Sequence, residues 1–217
     1  MLFRSLRDAV LNHKKFVFGD PNPQVSEATN ELASAIRLSN QAIWEAAQKQ
    51  GSHHGMGTTV VSAWLHGAIM SIAHVGDSRI YLLRAGQLQQ LTQDHSLVME
   101  QVRRGLITRE EAEHSDMQNI IVRALGAEDQ VNVDVDEVFL MPGDQVVLCS
   151  DGLTKMVPED GIAQIVEESA EPQQAADRLV QAANDNGGED NVTVIVVLVK
   201  EEQPRGFWAL FKSLFVS

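Results

Sequence analysis

Three aspartates stand where an apolar run meets a tight turn: Asp77 in AHVGDSR, Asp151 in LCSDGL, and Asp190 in NGGEDNVTV, just ahead of a run. A fourth, Asp94 in LTQDHS, has looser surroundings. A hydrophobic strand that delivers an ionised carboxylate to its tip needs a reason, because burying such a charge is expensive. Glycine lies close to each of the first three, and glycine lets backbone and water approach a ligand closely. Carboxylates converging from strand ends can therefore hold a hard cation through oxygen alone, which suits Mg²⁺ or Mn²⁺ rather than zinc. Any one of these residues is equally able to make an Asx turn or to cap a helix. Taken together they favour the cation. Two carboxylates about 4 Å apart, at an effective dielectric of about 20, repel by about 4 kcal/mol.

The elements around these acids follow from periodicity. Val146-Val147-Leu148-Cys149 reads as a buried strand that ends at Asp151. TTVVSAWL, AIMSIAHV, RIYLLR and QLQQLT are short β-rich runs broken by HG, GDS and AG, which predicts an antiparallel meander with Asp77 at one turn. VNVDVDEVFL and DQVVLCS predict two more strands joined by the turn MPGD. NVTVIVVLV, residues 191–199, is a continuous β-branched run and predicts a central strand buried on both faces.

Helices are predicted over 26–49, with Ala28, Leu32, Ala35, Ile36, Ile43 and Ala47 on the apolar side, and over 158–168 and 172–185, where Pro172 suits a first turn. Leu2, Phe3, Leu6, Val10 and Leu11 mark an amphipathic helix with no capping residue ahead of it. Residues 96–125 read as helical and irregular. Antiparallel strands flanked by helix pairs predict sheets covered by helices.

Bulk properties narrow the function. The chain has 217 residues, 44% hydrophobic and 22% charged, enough for one well-buried domain. A formal net charge of −13 argues against binding a nucleic-acid backbone. No run of 18 apolar residues occurs, and the N-terminus lacks the pattern of a signal peptide, so a cytoplasmic location is expected. The single cysteine, Cys149, excludes an internal disulfide and is expected to be a buried, inert thiol. His53 and His54 are expected in a solvated loop. His74 and His95 could donate a proton to a leaving group, though packing is the simpler expectation for His74 on its strand. Trp44 and Trp64 are expected in the core.

The order GMGTT (55–59), AHVGDSRIYLLR (73–84), LTQDHS (91–96), NIIVRALG (119–126), PGDQVVLCSDGL (142–153) and GGEDNVTVIVV (187–197) resembles the motif series of the metal-dependent PP2C-type (PPM) serine/threonine phosphatases, bacterial branch. The resemblance implies an α+β fold, a four-layer α-β-β-α sandwich of two antiparallel sheets. It implies hydrolysis of phosphoserine and phosphothreonine on proteins by a metal-activated water, with two or three Mn²⁺ or Mg²⁺ ions. By the same resemblance Asp151 and Asp190 are ligands of the first metal. Asp77 is a ligand of a looser, accessory metal shared with Asp151. Asn191 orients Asp190, and Gly152 lies beside the site. Residues 96–125 match the flap beside the cleft, within a domain over 1–200. The partners implied are phosphorylated proteins, the substrates of a serine/threonine kinase.

The chain departs from that pattern in one respect. It contains no strand ending Asp-Gly-x-Gly-Gly, whose Asp bridges both metals in the family, and no matching Arg to grip phosphate. HGMGTT lacks the acid. Either Met1 is an internal methionine of a longer reading frame, or the protein is a shortened regulatory form without turnover. In both cases the sandwich is expected to lack its N-terminal strands, and this chain to bind fewer metals and turn over slowly. The tail FWALFKSLFVS carries Phe207, Leu210, Phe211, Leu214 and Phe215 on one helical face. After a linker from residue 201, residues 205–217 are expected either to dock on the domain or to act as a reversible membrane or partner anchor.

Overall fold

The long helix forms as α1, Glu27–Lys49, in a computed structural model that describes residues 18–49 and 55–200. The amphipathic segment at 2–11, His53 with His54, and the tail 205–217 lie outside the described residues. Ser26 caps α1, its hydroxyl accepting the Thr29 N–H at 3.3 Å, while the Ser26 N–H donates to Glu137 Oε1 at 2.8 Å. The start of the helix is thus pinned to a strand more than a hundred residues away.

Seven strands follow: β1 Val60–His66, β2 Ile69–Val75, β3 Arg79–Arg84, β4 Gln87–Gln90, β5 Asp134–Phe139, β6 Gln145–Cys149 and β7 Val194–Leu198. They form two antiparallel sheets, ordered β1-β2-β5 and β4-β3-β6-β7. Met70, Ile72, Ile80, Leu82, Leu140 and Val146 fill the space between the sheets. On the outer face of the first sheet, Ala73 and Val75 meet Leu32 and Ile36 of α1. On the outer face of the second, Tyr81, Leu83, Val147 and Cys149 meet α5, Glu159–Glu168, and α6, Pro172–Asp185. Along β3, Ile80 and Leu82 point one way and Tyr81 and Leu83 the other, which is why RIYLLR carries no polar alternation. The order of layers is helix, sheet, sheet, helices, as expected. Cys149 is buried, and burial pushes its thiol up to about 12.

Three expectations need correction. The four runs from 58 to 92 do not make one meander. β1-β2 and β3-β4 are separate hairpins in different sheets, and the chain changes sheet at Gly76–Ser78. Gly76 has φ +109°, and a Cβ there would lie 2.3 Å from Thr59 Cγ2, so the crossing needs glycine. The MPGD turn also changes sheet, between β5 and β6. Asp144 holds it by accepting the Met141 N–H at 2.7 Å and a bidentate pair from Arg84.

Second, β7 is an edge strand among the described residues, and Ile195 is 53% exposed. A β-branched run reports a backbone preference and apolar surroundings, not the number of neighbouring strands. Third, Trp44 and Trp64 are only half-buried. Trp64 lies against the α1 cluster with its ring edge-on to His66.

The segment after β4 is helical and irregular, with α2 Leu97–Arg103 and α3 Arg109–Glu113. Ser96 caps α2, and Thr108 with Glu111 forms a capping box on α3. A one-turn helix, α4 Asp151–Thr154, follows β6 directly.

Candidate metal centre

Asp151 is the first residue of α4, so the strand β6 hands it over without a connecting loop. Ser150 joins this turn to the segment ahead of β7. Its N–H donates to the Thr193 carbonyl at 3.1 Å, its hydroxyl donates to the Asn191 carbonyl at 3.1 Å, and the same hydroxyl accepts the Thr193 N–H at 3.1 Å. Gly152 completes the junction. A Cβ there would lie 2.5 Å from the Asn191 carbonyl oxygen and 3.5 Å from the Asp190 carbonyl carbon. Its glycine is required by the close approach of two backbones, not by a left-handed φ.

Asp190 is therefore carried to the side of the Asp151 turn. It is exposed, and its Oδ1 accepts the Asn191 N–H at 2.7 Å. That bond, then the Asn191 side chain, holds its carboxyl below the usual range, and the Lys155 charge adds to this. Asp77 sits at the sheet-changing turn and is 8% exposed. Burial, and then the negative charge of Asp151, push its carboxyl upward. Asp77 and Asp151 both line a cavity of about 520 Å³, bounded also by Ser96, Met99 and Arg109 of the 96–118 segment and by Glu159 of α5. Asp190 is not among the lining residues.

Lys155, one turn after Asp151, was not singled out by the sequence pattern, although an Asp and a Lys four apart on a helix are neighbours. Its Nζ donates to Asp151 Oδ2 at 2.5 Å. The same charge slightly offsets the upward push on Asp77 and adds a minor lowering influence on Asp190. Only Asp151 bonds that ammonium, and among the described residues the carboxylates of Asp77, Asp151 and Asp190 do not gather within 4.8 Å of one another. The donors suit a hard divalent ion, since they are carboxylate oxygens alone and the buried Asp77 has no ion-pair partner among the described residues.

Asp94 has a different task. Its carboxylate takes Arg79 bidentately, Nε to Oδ1 at 2.9 Å and Nη2 to Oδ2 at 2.6 Å. That pair forms part of the cavity wall.

His74, His95 and Asp134 form a second cluster, with potential ligand atoms within 4.8 Å of one another. The two imidazoles stack at 4.9 Å. His95 Nδ1 accepts the Gly76 N–H at 3.0 Å, which leaves Nε2 to carry the proton toward Asp134 Oδ2 at 3.2 Å. Arg123 donates to Asp134 and lies 3.0 Å from His95 Nε2, so a guanidinium already stands where a metal would. Burial opposes the charge on Asp134, but His95 and then Arg123 outweigh it and hold the carboxyl well below its usual range. Neither histidine lines the cavity, so neither is placed as a general acid.

This buried network makes stability depend on acid. Burial lowers His74 below the ordinary 6.5, against a partial opposing effect from its bond to the Gln93 carbonyl. With the folded pKa below the unfolded one, the contribution is complete above about pH 6.5 and is lost as pH falls through the folded value. The urea midpoint should therefore decline as pH falls below about 6.5. His74→Gln should flatten that decline, and an unchanged slope would remove His74 as its source.

A family model described as protein phosphatase 2C matches residues 4–184. The serine/threonine phosphatase stp of Listeria monocytogenes serovar 1/2a is 44% identical over 166 residues, 76% of this chain and 66% of that protein. The chain thus spans just under two thirds of that relative's length. The serine/threonine phosphatase structure from S. agalactiae is similar with a TM-score of 0.79 at 34% identity, over 91% of this chain and 80% of that one. The catalytic domain of the serine threonine protein phosphatase PstP in complex with two manganese ions gives a TM-score of 0.70 at 33% identity, over 91% and 80%.

Proposed function

Because the chain belongs to the protein phosphatase 2C family, we propose that it removes phosphate from phosphoserine and phosphothreonine of proteins, using Mn²⁺ or Mg²⁺. In this reading Asp151 and Asp190 are ligands of the first ion, and Asp77 with Asp151 holds an accessory one. What supports it is the family match over residues 4–184, with Asp77 and Asp151 lining one cavity and the Asp190–Asn191 backbone packed against Gly152 beside Asp151. Divalent ions bound there supply the Lewis acidity that phosphoryl hydrolysis needs.

The chain's own residues prepare that place. Gly152 lets the Asn191 backbone close on α4, and the Asn191 N–H keeps Asp190 ionised and aimed. The Arg79–Asp94 clamp neutralises another acid on the lining of the same cavity. Residues 96–125, as the flap, contribute Ser96, Met99 and Arg109 to the lining of the cavity and would select among phosphoproteins through such groups. The same proposal includes a catalytic domain over 1–200, a cytoplasmic location, and substrates that are the products of a serine/threonine kinase. Among the described residues no helix is long and apolar enough to cross a membrane.

Calorimetric titration with MnCl₂ tests the assignment. Asp151→Asn should weaken binding by more than about tenfold, because even outer-shell changes at metal sites cost 10- to 100-fold. Unchanged affinity would remove Asp151 from the site.

One sequence fact favours a second reading, a non-catalytic phosphoprotein-binding module. These 217 residues contain no Asp-Gly-x-Gly-Gly motif. Incubation with a phosphopeptide and Mn²⁺ separates the two: release of inorganic phosphate over many turnovers supports the enzyme, and retention of intact phosphopeptide supports the module.

A further inference from the structure

We propose that Lys155 is a tethered counter-ion of Asp151, competing from within for that carboxylate and leaving it when a divalent ion binds. This rests on the reading that Asp151, Asp190 and Asp77 take such ions. The geometry is local and rigid at its base. Lys155 is the residue at the C-terminal end of α4, and its N–H donates to the Asp151 carbonyl at 3.0 Å. The backbone therefore fixes the stem one turn from the carboxylate. Lys155 Nζ and Asp151 Oδ2 form a direct ion pair between side chains 30% and 27% exposed.

No other described cation is placed to do this. Arg79 lies on the same cavity wall but is committed to Asp94 through both carboxylate oxygens. Arg109 reaches the cavity from α3, with no ion pair to any of the three acids.

Two states of the site follow. Without metal, the ammonium neutralises Asp151, whose charge otherwise acts on the buried Asp77. A divalent ion on Asp151 must break the Lys155 bond and displace a like charge from the same space. Lys155 thereby lowers the affinity for metal while protecting the metal-free protein. Metal occupancy then responds to the divalent-ion concentration over a higher range than the carboxylates alone would set.

Lys155→Met keeps the stem and removes the charge. In Mn²⁺ titrations of the full chain it should bind about tenfold more tightly than the parent protein. In EDTA its urea midpoint should be lower, and added Mn²⁺ should raise that midpoint further than in the parent. Lys155→Arg should keep the parent affinity. Equal or weaker Mn²⁺ binding by the Met variant, with both proteins binding measurably, overturns the role of Lys155 and leaves the carboxylate site standing. Absence of binding in both removes the carboxylate site, and this inference with it. Should Lys155→Met fail to fold without metal, Lys155→Gln, polar and nearly as long, provides the same comparison.

Discussion

Gly152→Ala is expected to destabilise the protein by about 1–3 kcal/mol and to weaken Mn²⁺ binding at the same time. Helix propensity alone predicts the opposite sign, since alanine in a helix is favoured over glycine by about 1 kcal/mol. The added methyl decides the matter. It would lie 2.5 Å from the Asn191 carbonyl oxygen and 3.0 Å from its carbon, and both are backbone atoms. They cannot rotate aside as a side chain would. Relief requires α4 and the segment ahead of β7 to separate, which breaks the Ser150 bonds and draws Asp190 away from Asp151. Urea denaturation and calorimetric titration of the same variant check both halves. A variant as stable as the parent, with unaltered Mn²⁺ affinity, would show that the two backbones are free to move apart.

Arg79→Met should be the most damaging change outside the apolar core. Asp94 has a side chain only 8% exposed, and its partners are Arg79 and, at 3.1 Å, Gln90. Removing the guanidinium strands a nearly buried carboxylate, a loss of about 3 kcal/mol at the lower end of the usual range because Arg79 is itself 25% exposed. For a domain of this size that is a fall in Tm of roughly 10 °C. The double variant Arg79→Met with Asp94→Leu should recover most of it, since the pair contributes far less than the charge it neutralises. By contrast, Lys49→Ala should move Tm little, because its partner Glu45 is 43% exposed and surface pairs contribute about 0–1 kcal/mol. A double variant no better than the single one would mean that the ion pair itself, rather than the stranded charge, holds this part of the fold.

What the sequence determined by itself was local, together with the order of the motifs. The apolar stripe of α1, the break at Pro172, the strand ending at Cys149 and the acids at 77, 151 and 190 all depend on neighbouring residues and their periodicity. The motif order was enough to indicate two sheets covered by helices. Tertiary structure alone decided which strands pair. Period-two patterning places a residue on a face but does not choose the sheet, so the crossings at Gly76 and MPGD and the edge position of β7 were not legible. Nor was Lys155, four residues beyond Asp151, marked as the ion-pair partner of that acid. Asp94 was equally ambiguous beside the others until Arg79, fifteen residues away on β3, took both its oxygens. Charges act through distance in three dimensions, and the chain sets that distance only when its sheets close on one another.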